Sequence, residues 1–142
     1  MAEAVKALAV DPGEKHLGLA VSDPSGLIAR PLATLRHSRR AADAAGIAAA
    51  AAAEGAEIIV VGCALDAEGR PGPQARHAAS LAEAVRAASP LPVVLHDESF
   101  SSLTAEQAMR EAGRRRGARR DQIHAAAAAA ILQSYLDMHV SD

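Results

Sequence analysis

The first sixty residues alternate short apolar runs with turn-forming punctuation. "VKALAV" (5–10) reads as a buried strand, and "LGLAVSD" (17–23) as its antiparallel neighbour across a Pro12-Gly13 loop. "GLIARPLATLRH" (26–37) reads as a third strand, in which Pro31 predicts an edge position or a bulge. Ser38 is placed to cap a helix through "RRAADAAGIAAAAAAEG", which Gly55 stops. "EIIVVG" (57–62) holds a β-branched run without alternation, the pattern of a strand covered on both faces.

Helix and strand alternate from there. "DAEGRPGP" (66–73) is loop, and Pro73 opens a helix whose Leu81, Ala82 and Val85 recur at helical spacing. "LPVVLHDE" (91–98) is the last strand and ends in carboxylates. Thr104 and Gln107 fit a capping box for "AEQAMREAG". After the basic loop "GRRRGARR", Asp121 is placed to cap a final helix, "QIHAAAAAAILQSYLDMH". No repeat or linker interrupts the series. It predicts one α/β domain over residues 1–142, with a five-stranded mixed sheet flanked by helices.

Composition narrows the core. Half the residues are hydrophobic, yet there is one Phe, one Tyr and no Trp, so Val, Ile, Leu and Ala must fill the interior. The formal net charge is −2, so any nucleic-acid surface has to be local. Cys63 has no second cysteine to pair with, which suits a reducing compartment. "MAEAVKALAV" lacks a basic start and a long apolar region, and Asp43, Glu54 and Glu57 break the alanine-rich stretch. The expectation is a cytoplasmic protein without a membrane span.

Three places then offer metal-type ligands near element ends: Asp11, the pair Asp97-Glu98, and Asp121 with His124. Asp11 and Glu98 lie at the carboxyl ends of strands that would be parallel, so both point to one sheet edge. With one strand between them their axes stand about 10 Å apart. Inward-reaching carboxylates at that distance can share metal ions about 3.5–4 Å apart, the spacing used in phosphodiester hydrolysis. Gly62-Cys63-Ala64 would leave the space between them open. Plainer roles fit the same residues: Asp11 as a turn residue, Asp97-Glu98 as loop, Asp121 as an N-cap, and the arginine run as a solvated loop. His16, His37, His77, His96 and His139 show no metal-ligand spacing and read as surface or satisfied histidines.

Together, "VDPGEKHLGLAVSD", "IIVVGCALDAEGRPGPQARHAASLAEAV", "PVVLHDESFSSLTAEQAM" and "QIHAAAAAAILQSYLD" resemble the YqgF/RuvX family, described both as Holliday junction resolvases and as pre-16S ribosomal RNA nucleases. The resemblance implies a ribonuclease H-like fold and a divalent-metal-dependent endonuclease acting on structured nucleic acid. It places the first-strand acid on Asp11 and the last-strand acid on Glu98. The family's third acid falls on position 124, which is His here. His16 and Ser99 stand where arginines are usual, and Ala64 where proline is usual. Asp11, Glu98 and His124 are thus the expected catalytic and metal-holding residues, with Asp121 as an auxiliary ligand. Neutral imidazole favours Mn²⁺ over Mg²⁺. Lys15, Arg114, Arg115, Arg116, Arg119 and Arg120 are the expected phosphate contacts. The implied substrate is precursor rRNA of the small ribosomal subunit or a four-way DNA junction, and symmetric junction cutting would call for a homodimer. His124 also favours an alternative, an RNA-binding factor in small-subunit maturation that has lost catalysis.

Overall fold

The computed structural model describes residues 5–63, 72–97 and 120–140. In chain order these form β1 (Ala7–Pro12), β2 (His16–Ser22), β3 (Ala29–Arg36), α1 (Arg40–Glu54), β4 (Ile58–Cys63), α2 (Pro73–Ala88), β5 (Val93–Asp97) and α3 (Arg120–Val140). The strands make one sheet in the order β3-β2-β1-β4-β5. β1, β2 and β3 are an antiparallel meander, while β1, β4 and β5 run parallel. The expected mixed five-stranded sheet is what forms.

The two faces of the sheet are filled differently. Leu8, Val10, Leu17, Leu19, Ile59, Val61 and Val93 pack beneath α1 and α2, against Ile47, Leu81 and Val85. Each such buried aliphatic side chain contributes about 1.5–3 kcal/mol by leaving water. The opposite face offers Ala7, Ala9, Ala20 and Val60 to Ala128, Leu132 and Leu136 of α3. Small strand residues there let a helix lie close. This division is the pleat at work, since successive side chains along β1 alternate between the faces.

Local chemistry sets the element ends. β3 is an edge strand, and its pairing with β2 skips a residue beside Pro31, so the proline sits at both an edge and a bulge. β3 begins later than its apolar run because Asp23 folds residues 23–28 into a turn. Its carboxylate accepts the Leu27 and Ile28 N–H groups (3.0 and 3.2 Å) and the Ser25 hydroxyl (2.7 Å). Gly55 ends α1 in the left-handed conformation (φ 69°) with its N–H turned back to the last turn, as expected. Pro73 occupies the first turn of α2, also as expected.

The caps at two helix starts depart from the sequence reading. Ser38 does not cap α1; the N-cap is Arg39, without a side-chain cap. Buried Asp43 does the work from inside the helix, accepting the Ser38 N–H (3.1 Å) and pairing with His37 Nδ1. Asp121 does not precede α3 either. Arg120 is already helical, so Asp121 lies within the first turn, three residues before His124. The capping box at Thr104 and Gln107 lies outside the described residues. Among the described residues no helix is long and apolar enough to cross a membrane.

Candidate active site

Asp11 is the penultimate residue of β1 and pairs with Gly18 of β2. On the other side Val10 pairs with Val61, so the next step of the register puts Asp11 beside Gly62, which pairs with His96 of β5. One strand therefore separates β1 from β5, as the sequence reading required. Odd positions of β1 face α3, and Asp11 is one of them. The site is built on that face, at the carboxyl edge of the parallel strands.

Two glycines shape it. A Cβ on Gly13 would stand 2.2 Å from the His16 carbonyl oxygen, so only glycine lets the β1–β2 turn close. A Cβ on Gly18 would stand 1.9 Å from the His124 carbonyl oxygen. With no side chain at position 18, the first turns of α3 come down onto β2 directly opposite Asp11. His124 is thereby brought to the carboxylate. Its ring stacks on that of His16, with centroids 4.9 Å apart and an interplanar angle of 23°.

Asp11 is half-buried, and that burial pushes its carboxyl group above the ordinary carboxylate range. His124 pulls in the opposite direction, as the smaller effect. No hydrogen bond from a described residue reaches the carboxylate. A desolvated carboxylate facing an imidazole, without a hydrogen bond from any described residue, is a donor set that suits a divalent cation, which would hold the charge that burial penalises. Among the described residues, however, no three His, Cys, Asp or Glu side chains converge as a complete metal site.

The expected site residues divide accordingly. Asp11 and His124 come together. Asp121 lies one helical turn from His124. Glu98 follows the last residue of β5 and lies outside the described residues, as do Arg114, Arg115, Arg116 and Arg119. Arg120 opens α3. Lys15 is exposed in the β1–β2 turn, where its carbonyl accepts the His37 N–H (2.9 Å). His16 had no role in the sequence reading beyond filling an arginine position, yet it lies in the site. Its signal was parity: counted from Gly18, it shares the face of Asp11.

The remaining histidines are satisfied elsewhere. His96 is buried, with Nε2 3.0 Å from Ser134 Oγ and its ring edge-on to Tyr135. Burial pulls its pKa down, against the pull of Asp97. His37 pairs with Asp43 and His77 with Arg40. His139 Nδ1 lies 2.7 Å from the Tyr135 carbonyl oxygen.

A family model described as RuvX, Holliday junction resolvase, matches residues 5–138. The chain belongs to the RuvX family. A relative from Anaeromyxobacter sp. (strain Fw109-5), named "Putative pre-16S rRNA nuclease", is 41% identical over 130 residues, covering 92% of this chain and 95% of the relative. A Kineococcus radiotolerans protein of the same name is 43% identical over 132 residues, covering 92% of this chain and 70% of that one. Among solved structures, Thermus thermophilus RuvC bound to a Holliday junction aligns with TM-score 0.61 and 20% identity over 96% of both chains. The fowlpox virus Holliday junction resolvase aligns with TM-score 0.58 and 10% identity, over 94% of this chain and 99% of its own. At such identities these structures establish the fold, which is ribonuclease H-like. RuvX membership covers the strand carrying Asp11 and the helix carrying His124 alike.

Proposed function

We propose that this RuvX-family chain is a divalent-metal-dependent endonuclease that hydrolyses phosphodiester bonds in structured nucleic acid, in the cytoplasm. The observation that carries the reading is the apposition of Asp11 and His124 across Gly18 at the carboxyl edge of the sheet. Two substrates agree with this reading: the relatives are named for pre-16S rRNA and the family model for Holliday junctions.

Asp11 and His124 would hold the ion, joined by Glu98 and by Asp121 from the turn below His124. A bound divalent ion supplies an activated water and stabilises the departing 3′ oxygen. The protein's own part is positioning. Burial of Asp11 disfavours its charged form, a cost that a bound cation would offset. His124 must present an unprotonated nitrogen, and its stack on His16 fixes the plane of the ring. Gly62 keeps the floor between β1 and β5 free of side chains. Lys15 and the arginines at 114, 115, 116, 119 and 120 would hold the phosphates without reading bases.

A second reading keeps the fold and the RNA but not the chemistry. It is favoured by His124 itself, an imidazole packed against a second imidazole at the position where the family resemblance implies an acid. Two measurements on the full-length protein separate the readings. Calorimetric titration with Mn²⁺ is expected to show binding that Asp11→Asn removes. Mn²⁺ is expected to support cleavage of an RNA carrying the 16S 5′ precursor junction, or of a four-way DNA junction. RNA binding with neither metal uptake nor cleavage would overturn the nuclease and leave the binding factor.

A further inference from the structure

Charged side chains are sorted between the two edges of the sheet. At the amino edge they are paired: Lys6 and Arg30 lie 3.9 and 3.3 Å from Glu54, and Arg86 pairs with Glu83. The carboxyl edge differs. Arg36, Arg39 and Arg76 are exposed there, and no described carboxylate lies within ion-pair distance of any of them. Arg40 reaches no carboxylate among the described residues but Ser80 Oγ and His77 Nδ1 (3.0 Å), which tie α1 to α2. Of the acids on this edge, Asp43 is buried and engaged by His37 and Ser38, Asp11 faces His124, and Asp97 is also engaged. Exposed Glu14 in the β1–β2 turn is the remaining described one whose side chain is placed.

This arrangement is unfavourable by itself. α1 starts with Arg39 and Arg40, and its one first-turn acid, Asp43, is buried and taken up by His37 and Ser38; α2 has no acid in its first turn. Cations at helix starts oppose the macrodipole, and neighbouring cations repel one another. An anion lying across them would relieve both effects.

Their placement shows the path such an anion would follow. Arg36 pairs with His16, which puts it on the α3 face with Asp11 and His124. Lys15 stands at the edge itself, and Arg39, Arg40 and Arg76 continue onto the α1–α2 face. Strand spacing and rise put the Cα atoms of Arg36 and Asp11 about 12 Å apart. That equals three to four base-pair steps of about 3.4 Å measured along the axis of a duplex.

We propose that Arg36, Arg39, Arg40 and Arg76, with Lys15, form a phosphate-binding band that wraps the carboxyl edge of the sheet and leads a nucleic-acid backbone to Asp11 and His124. The band rests on the nuclease reading above. It is separate from the arginines of residues 114–120, and it grips backbone without reading sequence.

The test is binding of the full-length protein in EDTA to a fluorescein-labelled four-way DNA junction and to a labelled RNA hairpin, by anisotropy across a KCl series. The double variant Arg36→Ala/Arg39→Ala is expected to weaken binding and to flatten the log–log salt slope by about 1.4–1.8, two phosphate contacts at 0.7–0.9 each. Arg36→Lys/Arg39→Lys is expected to keep the slope, as is the amino-edge control Lys6→Ala/Arg30→Ala. Far-ultraviolet circular dichroism and melting verify that each variant is folded. Whichever probe binds more tightly, loss on that probe supports the band. An unchanged slope in the alanine double variant, or an equal loss in the amino-edge control, overturns it. If the wild type still cleaves with Mn²⁺, only the band falls. A wild type that binds neither probe overturns the band and the nuclease reading together.

Discussion

The His124 carbonyl oxygen occupies the space that the Cβ of any other residue would need at Gly18. The separation would be 1.9 Å, a backbone atom is the obstacle, and a rotamer change cannot relieve it. Gly18→Ala should therefore push the start of α3 off β2, at a cost of about 1–3 kcal/mol, the usual range for overpacking. For a chain of this length each kcal/mol lowers the melting temperature by about 2–4 °C. Cleavage should fall further than the population of folded protein does, because His124 moves away from Asp11. Urea denaturation and single-turnover cleavage on the same preparation would check this. Wild-type stability with wild-type cleavage would show that the contact is slack.

Asp11→Asn should abolish cleavage and leave the fold intact. Burial raises the carboxyl pKa of Asp11 in the folded state above its unfolded value. Its contribution to stability is therefore greatest below the ordinary carboxylate value and is lost as pH rises through the folded value. At neutral pH, without metal, the asparagine variant should melt no lower than the wild type. The gap should close on acidification. Added Mn²⁺ should raise the melting temperature of the wild type alone. A variant that unfolds at neutral pH would make Asp11 a turn residue.

His124→Asp should move metal preference from Mn²⁺ towards Mg²⁺. Mg²⁺ demands oxygen ligands in near-octahedral order, whereas Mn²⁺ accepts nitrogen more readily. An imidazole ligand must also be unprotonated to bind, so wild-type activity should fall on acidification. The aspartate variant has no imidazole at this position to protonate, so its acid limb should be set by the carboxylates alone and differ from that of the wild type. Rates with both metals across mildly acid to neutral pH would test this. Identical preference and identical acid limbs would take His124 out of the site. Cleavage that appears only in the variant would mark a lapsed nuclease.

His16→Arg should tighten nucleic-acid binding. A planar guanidinium can stack on the His124 ring as the imidazole does, and it adds a fixed charge beside Asp11. One new phosphate contact would steepen the log–log salt slope by about 0.7–0.9. An unchanged slope would mean that no phosphate passes over this ring.

The sheet was legible because its strands are short apolar runs that nothing else in the chain resembles. The five strands and their mixed direction emerged from those runs. The sheet order β3-β2-β1-β4-β5 came from the structure and supplied the one-strand gap that the sequence reading takes as a condition. Asp11 was legible because a carboxylate ended a buried strand. His16 was not, because its place depends on where α3 lands, and that contact links distant parts of the chain. A clue was present in Gly18: glycine inside a strand often marks the close approach of another backbone. The start of α1 was misread for a related reason. Ser38 has the right side chain for a cap, but Asp43, four residues inside Arg39, already takes the Ser38 N–H.

The docking of α3 on β2 also orders events during synthesis. Asp11 belongs to the first strand made and His124 to the last helix. Synthesis runs from the amino end, and a domain folds as a unit. A growing chain therefore carries its β1–β2 hairpin and its carboxylate for nearly the whole of translation without the imidazole that completes the pair. On the nuclease reading, an unfinished chain has no assembled centre with which to cut the RNA of the ribosome producing it.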